Sequence, residues 1–233
     1  MHPPTTHRIA SSILLASSLA LILASCGGGG GGGGGQPGGS GATASAATAP
    51  VTPTPEPIAV IPPLSTNPIQ LVFGGTVGAP GTWPDGDTAA GGDGIRPVDG
   101  INCSGSEAYH IHTHLSIVRD GQLLAIPANV GIPAGCTYEI HTHDKTGEIH
   151  LEAPAKKRFT LGNFFAVWGQ PLSRTNIAGI TGAPVTVYVT DGSNTVAYTG
   201  DIADLELTSH RLITIQIGKP VATIPAFLWD TPS

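Results

Sequence analysis

Six of the chain's nine histidines fall between positions 110 and 150. They occupy three strings: His110-Ile-His-Thr-His114, Glu139-Ile-His-Thr-His143 and Glu148-Ile-His-Leu-Glu152. A neutral imidazole nitrogen binds zinc, copper, iron and nickel at neutral pH, so histidine is the commonest side-chain metal ligand. Within each string the histidines and carboxylates are two apart. That is strand spacing, and it directs them to one face of a β-sheet. Side chains two apart on a strand start about 6.6 Å apart, close enough for two rings to lean onto one ion. His110 and His114, about 13 Å apart, cannot do so. One ion therefore takes at most two of the first three histidines. Adding His141 and His143, or His141 and His150, supplies the three or four nitrogens that zinc or copper(II) accepts. His112 is central because it can pair in either direction. The remaining histidines, with Glu139, Asp144, Glu148 and Glu152, would orient the ligands or serve a second ion.

A lone His-x-His reads most simply as a pair of solvated residues on a wet sheet face. Three such patterns on neighbouring strands point to metal instead. The only methionine is Met1, which argues against a copper(I) carrier relying on thioethers. His210 stands apart and is expected to be structural or surface. The loop from Asp85-Gly-Asp87 to Asp93-Gly94 lacks calcium-loop spacing and reads as solvated.

The elements that must position these residues are mostly strands. His110 to Val118 alternates, Asp120-Gly121 is a favoured two-residue hairpin turn, and Leu123 to Ile126 returns antiparallel. Tyr138 to His143 and Glu148 to Glu152 form a second hairpin around Asp144-Lys-Thr-Gly147. A glycine-bulge turn would pair Asp144 with Glu148 and send His150 to the other face. A four-residue loop pairs His143 with Glu148, His141 with His150 and Ile140 with Leu151. Only the second matches apolar with apolar, and register follows the buried face, so the second is expected. Val185 to Thr190, Thr195 to Thr199 and Leu212 to Ile217 read as further strands. One helix is expected over Leu161 to Trp168, capped by Thr160 and stopped by Gly169 and Pro171, with Leu161, Phe164, Phe165 and Trp168 facing the core. The fold class is β-rich α+β: an antiparallel sheet, sandwich or grasp-like, with one short packed helix.

The N-terminus predicts where the protein works. His7 and Arg8 precede an apolar run from Ile9 to Leu23, the form of a secretory signal peptide. Leu23-Ala24-Ser25-Cys26 follows at once and resembles the lipobox of bacterial lipoproteins. That resemblance implies removal of residues 1–25 and a lipid on Cys26. Gly27 after the cysteine implies the outer membrane. Residues 26–68, glycine-rich and then proline-rich, read as a tether, flexible at first and stiffer later. Residues 69–233 are about the size of one domain. A formal charge of −6 makes nucleic acid an unsuitable partner, and the basic run Lys156 to Arg158 reads as a solvated loop. Cys103 and Cys136, in an oxidising compartment, are expected to form a disulfide tying together the lead-ins to the two histidine strands.

The stretch from His110 to Leu172 resembles a group of secreted or lipid-anchored bacterial and archaeal proteins. The shared wording is His-Ile-His-x-His-Leu at His110 to Leu115, and Pro-Ala-Asn-x-Gly-Ile at Pro127 to Ile132. It continues as His-Thr-His-Asp-x-x-Gly-x-Ile-His-x-Glu at His141 to Glu152 and Thr-Leu-Gly-x-Phe-Phe-x-x-Trp-Gly at Thr160 to Gly169. The resemblance supports the site, Asp144 included, without naming an activity. The leading expectation is a lipid-anchored envelope protein that buffers, carries or senses zinc or copper. A metalloenzyme is the alternative. His112, His114 and His141, with Glu139 behind them, look like the three-histidine zinc site of α-type carbonic anhydrases. Copper chemistry of the superoxide dismutase kind shares the sheet, the His-x-His and the disulfide. A structural or adhesion lipoprotein is the third reading.

Overall fold

Alternating apolar and polar residues build strands wherever one face of the chain is to be buried. The computed structural model, which describes residues 60–85 and 92–229, has twelve strands and one helix, and the longer strands follow that rule. In chain order they are β1 (Ile69–Gln70), β2 (Tyr109–Arg119), β3 (Gln122–Leu124), β4 (Ile140–His141), β5 (Glu148–Ala153), α1 (Leu161–Trp168), β6 (Leu172–Ser173), β7 (Asn176–Ile177), β8 (Ile180–Thr181), β9 (Val185–Asp191), β10 (Asn194–Ala197), β11 (Leu212–Ile217) and β12 (Phe227–Leu228). The signal peptide, Cys26, most of the tether and Asp87 lie outside the described residues. Of the tether, residues 60–68 are described, and pairing with the domain begins there at Leu64, which bridges Ile224.

The main sheet runs β10-β9-β11-β2-β5-β4, with β3 also on β2. The expected class holds: β-rich with one helix. One pairing departs from the antiparallel expectation, since β11 lies parallel to β2, Leu212 opposite His114 through Ile217 opposite Arg119. The reason is the use of β2's edges. β5 takes one edge from Tyr109 to His114 and β3 takes the same edge from Ile117 to Arg119, leaving the other edge to a strand arriving by a long crossover. Asp120 and Gly121 turn the first hairpin with φ of 50° and 87°, as a type I′ turn requires.

The two faces of this sheet have different fates. Leu115, Ile117, Ile140, Ile149, Leu151, Ile213, Ile215 and Ile217 enter the core, where α1 contributes Leu161, Phe164, Phe165 and Trp168. The helix begins and ends where its sequence signals lie. Thr160 Oγ1 accepts from Asn163 N, Asn163 Oδ1 accepts from Thr160 N, and Gly169 closes the helix at φ 69°. The opposite face is partly roofed by a second apolar cluster of Leu71, Leu212 and Phe227, which joins the two ends of the domain. β1 and β12 pair in parallel to hold that roof in place. The short sheet β6-β7-β8 and the β1–β12 pair carry no clear alternation and were not expected.

Cys103 and Cys136 are disulfide-bonded, with a Cα–Cα distance of 5.5 Å, and Cys103 bridges Tyr138 just ahead of β4. The bond closes a loop over a separation of 33 residues. Replacing both cysteines by alanine is expected to cost about 2–4 kcal/mol. Urea unfolding of wild type with and without reductant checks this. Coincident curves would contradict it.

Candidate metal centre

Strand pairing brings the histidine strings together on the non-core face. His112 lies opposite His150 across β2 and β5, flanked by His110 opposite Glu152 and His114 opposite Glu148. His141 lies opposite His150 on the other side, and Ile140 meets Leu151, the register chosen from apolar matching. The ladder stops there, so His143 does not pair with Glu148. Thr142 ends it by bonding the neighbouring loop: its N–H donates to Val130 O, its Oγ1 donates to Pro127 O and accepts from Val130 N. Released from the ladder, His143 turns back over the cluster.

The donor atoms form a nearly continuous series. His141 Nε2 is 3.2 Å from His143 Nε2 and 3.7 Å from Glu152 Oε1. Glu152 Oε1 is 3.4 Å from His150 Nδ1 and 3.2 Å from His110 Nε2. His112 Nε2 is 3.1 Å from His150 Nδ1 and 2.9 Å from His110 Nε2. They fall into two sets, each with its donor atoms within 4.8 Å of one another: His141, His143, His150 and Glu152, and His110, His112 and His150. Donors bound to one zinc ion at about 2.0–2.2 Å sit 3–4 Å apart, so the first set has metal-site dimensions with three nitrogens and an oxygen.

The wiring around His141 decides which of its nitrogens is available. His141 Nδ1 is 2.8 Å from Tyr138 O, and a carbonyl can only accept, so Nδ1 carries the hydrogen. Nε2 is therefore a lone pair, and it is the atom facing His143 and Glu152. A backbone acceptor behind a ligating imidazole is the usual means of fixing its tautomer and orientation. The ring is fully buried. Burial holds His141 well below the ordinary histidine pKa, against the opposing pull of Glu152. His112 is lowered to about 4 by burial, then by the neighbouring His150 and His110. Burial likewise lowers His143. Burial pushes Glu152 up, but its bond to His150 and the nearby His141 and His110 outweigh this and hold it well below the usual carboxylate range. Near neutral pH the pocket thus presents neutral His112, His141 and His143 around an ionised carboxylate, a donor set suited to a divalent cation.

No protein-family model, curated protein or solved structure matches this chain. Its chemistry rests on the side chains themselves.

Several residues expected at the site are placed otherwise. His114 belongs to neither donor set. Its Nε2 donates to Thr146 O at 2.9 Å, its Nδ1 faces Ser116 Oγ, and Phe227 stacks on it at 3.6 Å between ring centroids. It is fully buried, and burial lowers its pKa to about 3. Glu139 turns to the adjoining loop, accepting from Asn102 N and Lys157 Nζ. Lys157 is accordingly the partner of a buried carboxylate rather than a solvated side chain. Asp144 shapes the turn, taking Thr146 N and Oγ1 on one oxygen and Gly74 N on the other. Glu148 stays beside the cluster, Oε1 3.4 Å from His112 Nδ1. His210 lies outside both sets, but its backbone N–H donates to His112 O and its ring lies 4.8 Å from Trp229.

Three contributors carry no polar sequence signal: Tyr138 through its carbonyl, Trp229 stacked 6.4 Å from His112, and Phe73 tilted 6.1 Å from His143. His143 also borders a shallow, open groove of about 320 Å³ with Gly74, Gly75 and Lys145. The larger cavities near Lys156 to Arg158 contain no cluster histidine and no comparable donor set.

Proposed function

We propose that this is a lipid-anchored metal-binding protein of the cell envelope that buffers, carries or senses zinc or copper(II). The observation that carries the reading is the buried His141 Nε2 lone pair, locked by Tyr138 O and facing His143 and Glu152. Four protein donors suit retention of an ion better than a catalytic centre, which leaves a position open to substrate. The carbonic-anhydrase-like arrangement loses support because His114 is committed to Thr146 and Glu139 to Lys157. Nitrogen-rich donors suit zinc and copper(II) alike. The disulfide is in keeping with an oxidising compartment. The apolar run before Leu23-Ala24-Ser25-Cys26 supports export and lipidation.

Elemental analysis of the protein isolated from envelope fractions tests the metal reading. Zinc or copper is expected at stoichiometric level in wild type and at a clearly lower level in His143→Ala. Equal metal in the two proteins would overturn it. Cys26→Ala is expected to move the protein from the membrane to the soluble fraction, and retention at the membrane would overturn the lipid anchor.

A further inference from the structure

The buried set leaves two histidines of the cluster without a role. His110 and His112 point their Nε2 atoms at each other at 2.9 Å, and His112 Nε2 also faces His150 Nδ1 at 3.1 Å. His112 is only 4% exposed, and its Nδ1 is the one buried side-chain polar atom, among the described residues, without a hydrogen bond. A neutral imidazole carries one N–H. With the hydrogen on Nε2, the Nδ1 lone pair would face a carboxylate oxygen of Glu148, 3.4 Å away. With the hydrogen on Nδ1 it points towards that oxygen, and the Nε2 lone pair is aimed between His110 and His150. The second arrangement is the electrostatically favourable one and is the carboxylate–histidine pattern found behind metal ligands.

These donors cannot join the first set on one ion. The two sets have only His150 in common, and bonds of about 2.0–2.1 Å do not span the whole series. We infer that the cluster holds two ions: a second is bound by His110, His112 and His150, and His150, the residue common to both sets, joins it to the ion of the first set. His150 would lose its remaining ring proton to solvent, giving an imidazolate that offers one lone pair to each cation. The inference rests on the buried set being a metal site, and it gives His110 and Glu148 functions that a single ion does not.

The test is titration of the full mature protein with copper(II), followed by elemental analysis after desalting and by electron paramagnetic resonance. Wild type is expected to retain two ions. The signal should grow over the first equivalent and fall over the second, because spins joined through one imidazolate couple. His110→Ala, altered at the solvent-exposed end of the cluster, is expected to retain one ion with a full, uncoupled signal. His210→Ala should behave as wild type. Circular dichroism confirms folding, and His110→Gln gives the same reading if the alanine variant fails to fold. One ion in both wild type and His110→Ala would overturn the second site while leaving the buried one standing. Two ions with an undiminished signal would overturn the sharing of His150. No retained ion in any protein would overturn both this inference and the function proposed above.

Discussion

His141→Ala is expected to weaken zinc or copper(II) binding by about 100-fold or more, whereas His114→Gln should leave it within a few-fold of wild type. The two residues are equally buried and sit in strings of the same wording, so the contrast isolates the wiring rather than the residue type. His141 gives its Nδ1 hydrogen to Tyr138 O and keeps Nε2 for a ligand. His114 gives its Nε2 hydrogen to Thr146 O and lies beneath Phe227. The His141 ring is enclosed, with Gly131 directly behind it. Gly131 adopts φ 77°, and a Cβ there would meet Ile140 O at 2.6 Å and His141 Cβ at 3.2 Å. Competition against a chelator of known affinity measures the difference. Equal losses in the two variants would show that the tautomer assignment does not govern binding.

Metal-free protein is expected to lose stability steeply as pH falls from about 6.5 towards 4. His114 is held at about 3 when folded by burial and returns to the ordinary value of 6.5 when unfolded. Between those values the unfolded chain binds a proton that the folded chain does not. Stability is therefore complete above 6.5 and falls as pH drops through the window. Each such histidine contributes a slope of about 1.4 kcal/mol per pH unit. His112 and His141, also depressed by burial, act in the same direction. Urea unfolding in the presence of a chelator, repeated at intervals from pH 7 to 4, gives the slope. His114→Gln should make it shallower by about one proton's worth. A wild-type stability that does not change across this range would contradict the assignment of buried neutral histidines.

What could be read from the sequence was whatever local physics determines. The period-two alternation of β2 and β5, the Asp120-Gly121 turn and the Thr160 to Gly169 cap signals each act over a few residues, and each element formed where its signal lay. The register of β4 on β5 was legible because only one pairing places Ile140 against Leu151. The fate of His114 was not, because Phe227, which stacks on it, comes from the far end of the domain. The contacts of Glu139 were hidden for a related reason: Lys157 and Asn102 both donate to its carboxylate, and neither is a strand neighbour by spacing. His143 was expected in the cluster, but its release from pairing with Glu148 was not legible, because it depends on a Thr142 hydroxyl bonding a loop. Alternation identifies a face, but it does not tell which part of that face the ends of the chain will cover.

X-ray absorption at the metal edge, on protein loaded with one equivalent of zinc, tests the central claim most directly. Three imidazole nitrogens and one carboxylate oxygen at about 2.0–2.2 Å are expected, from His141, His143, His150 and Glu152, with one imidazole lost in His143→Ala. A spectrum with fewer than two imidazoles, or one unchanged by that substitution, would contradict the assignment.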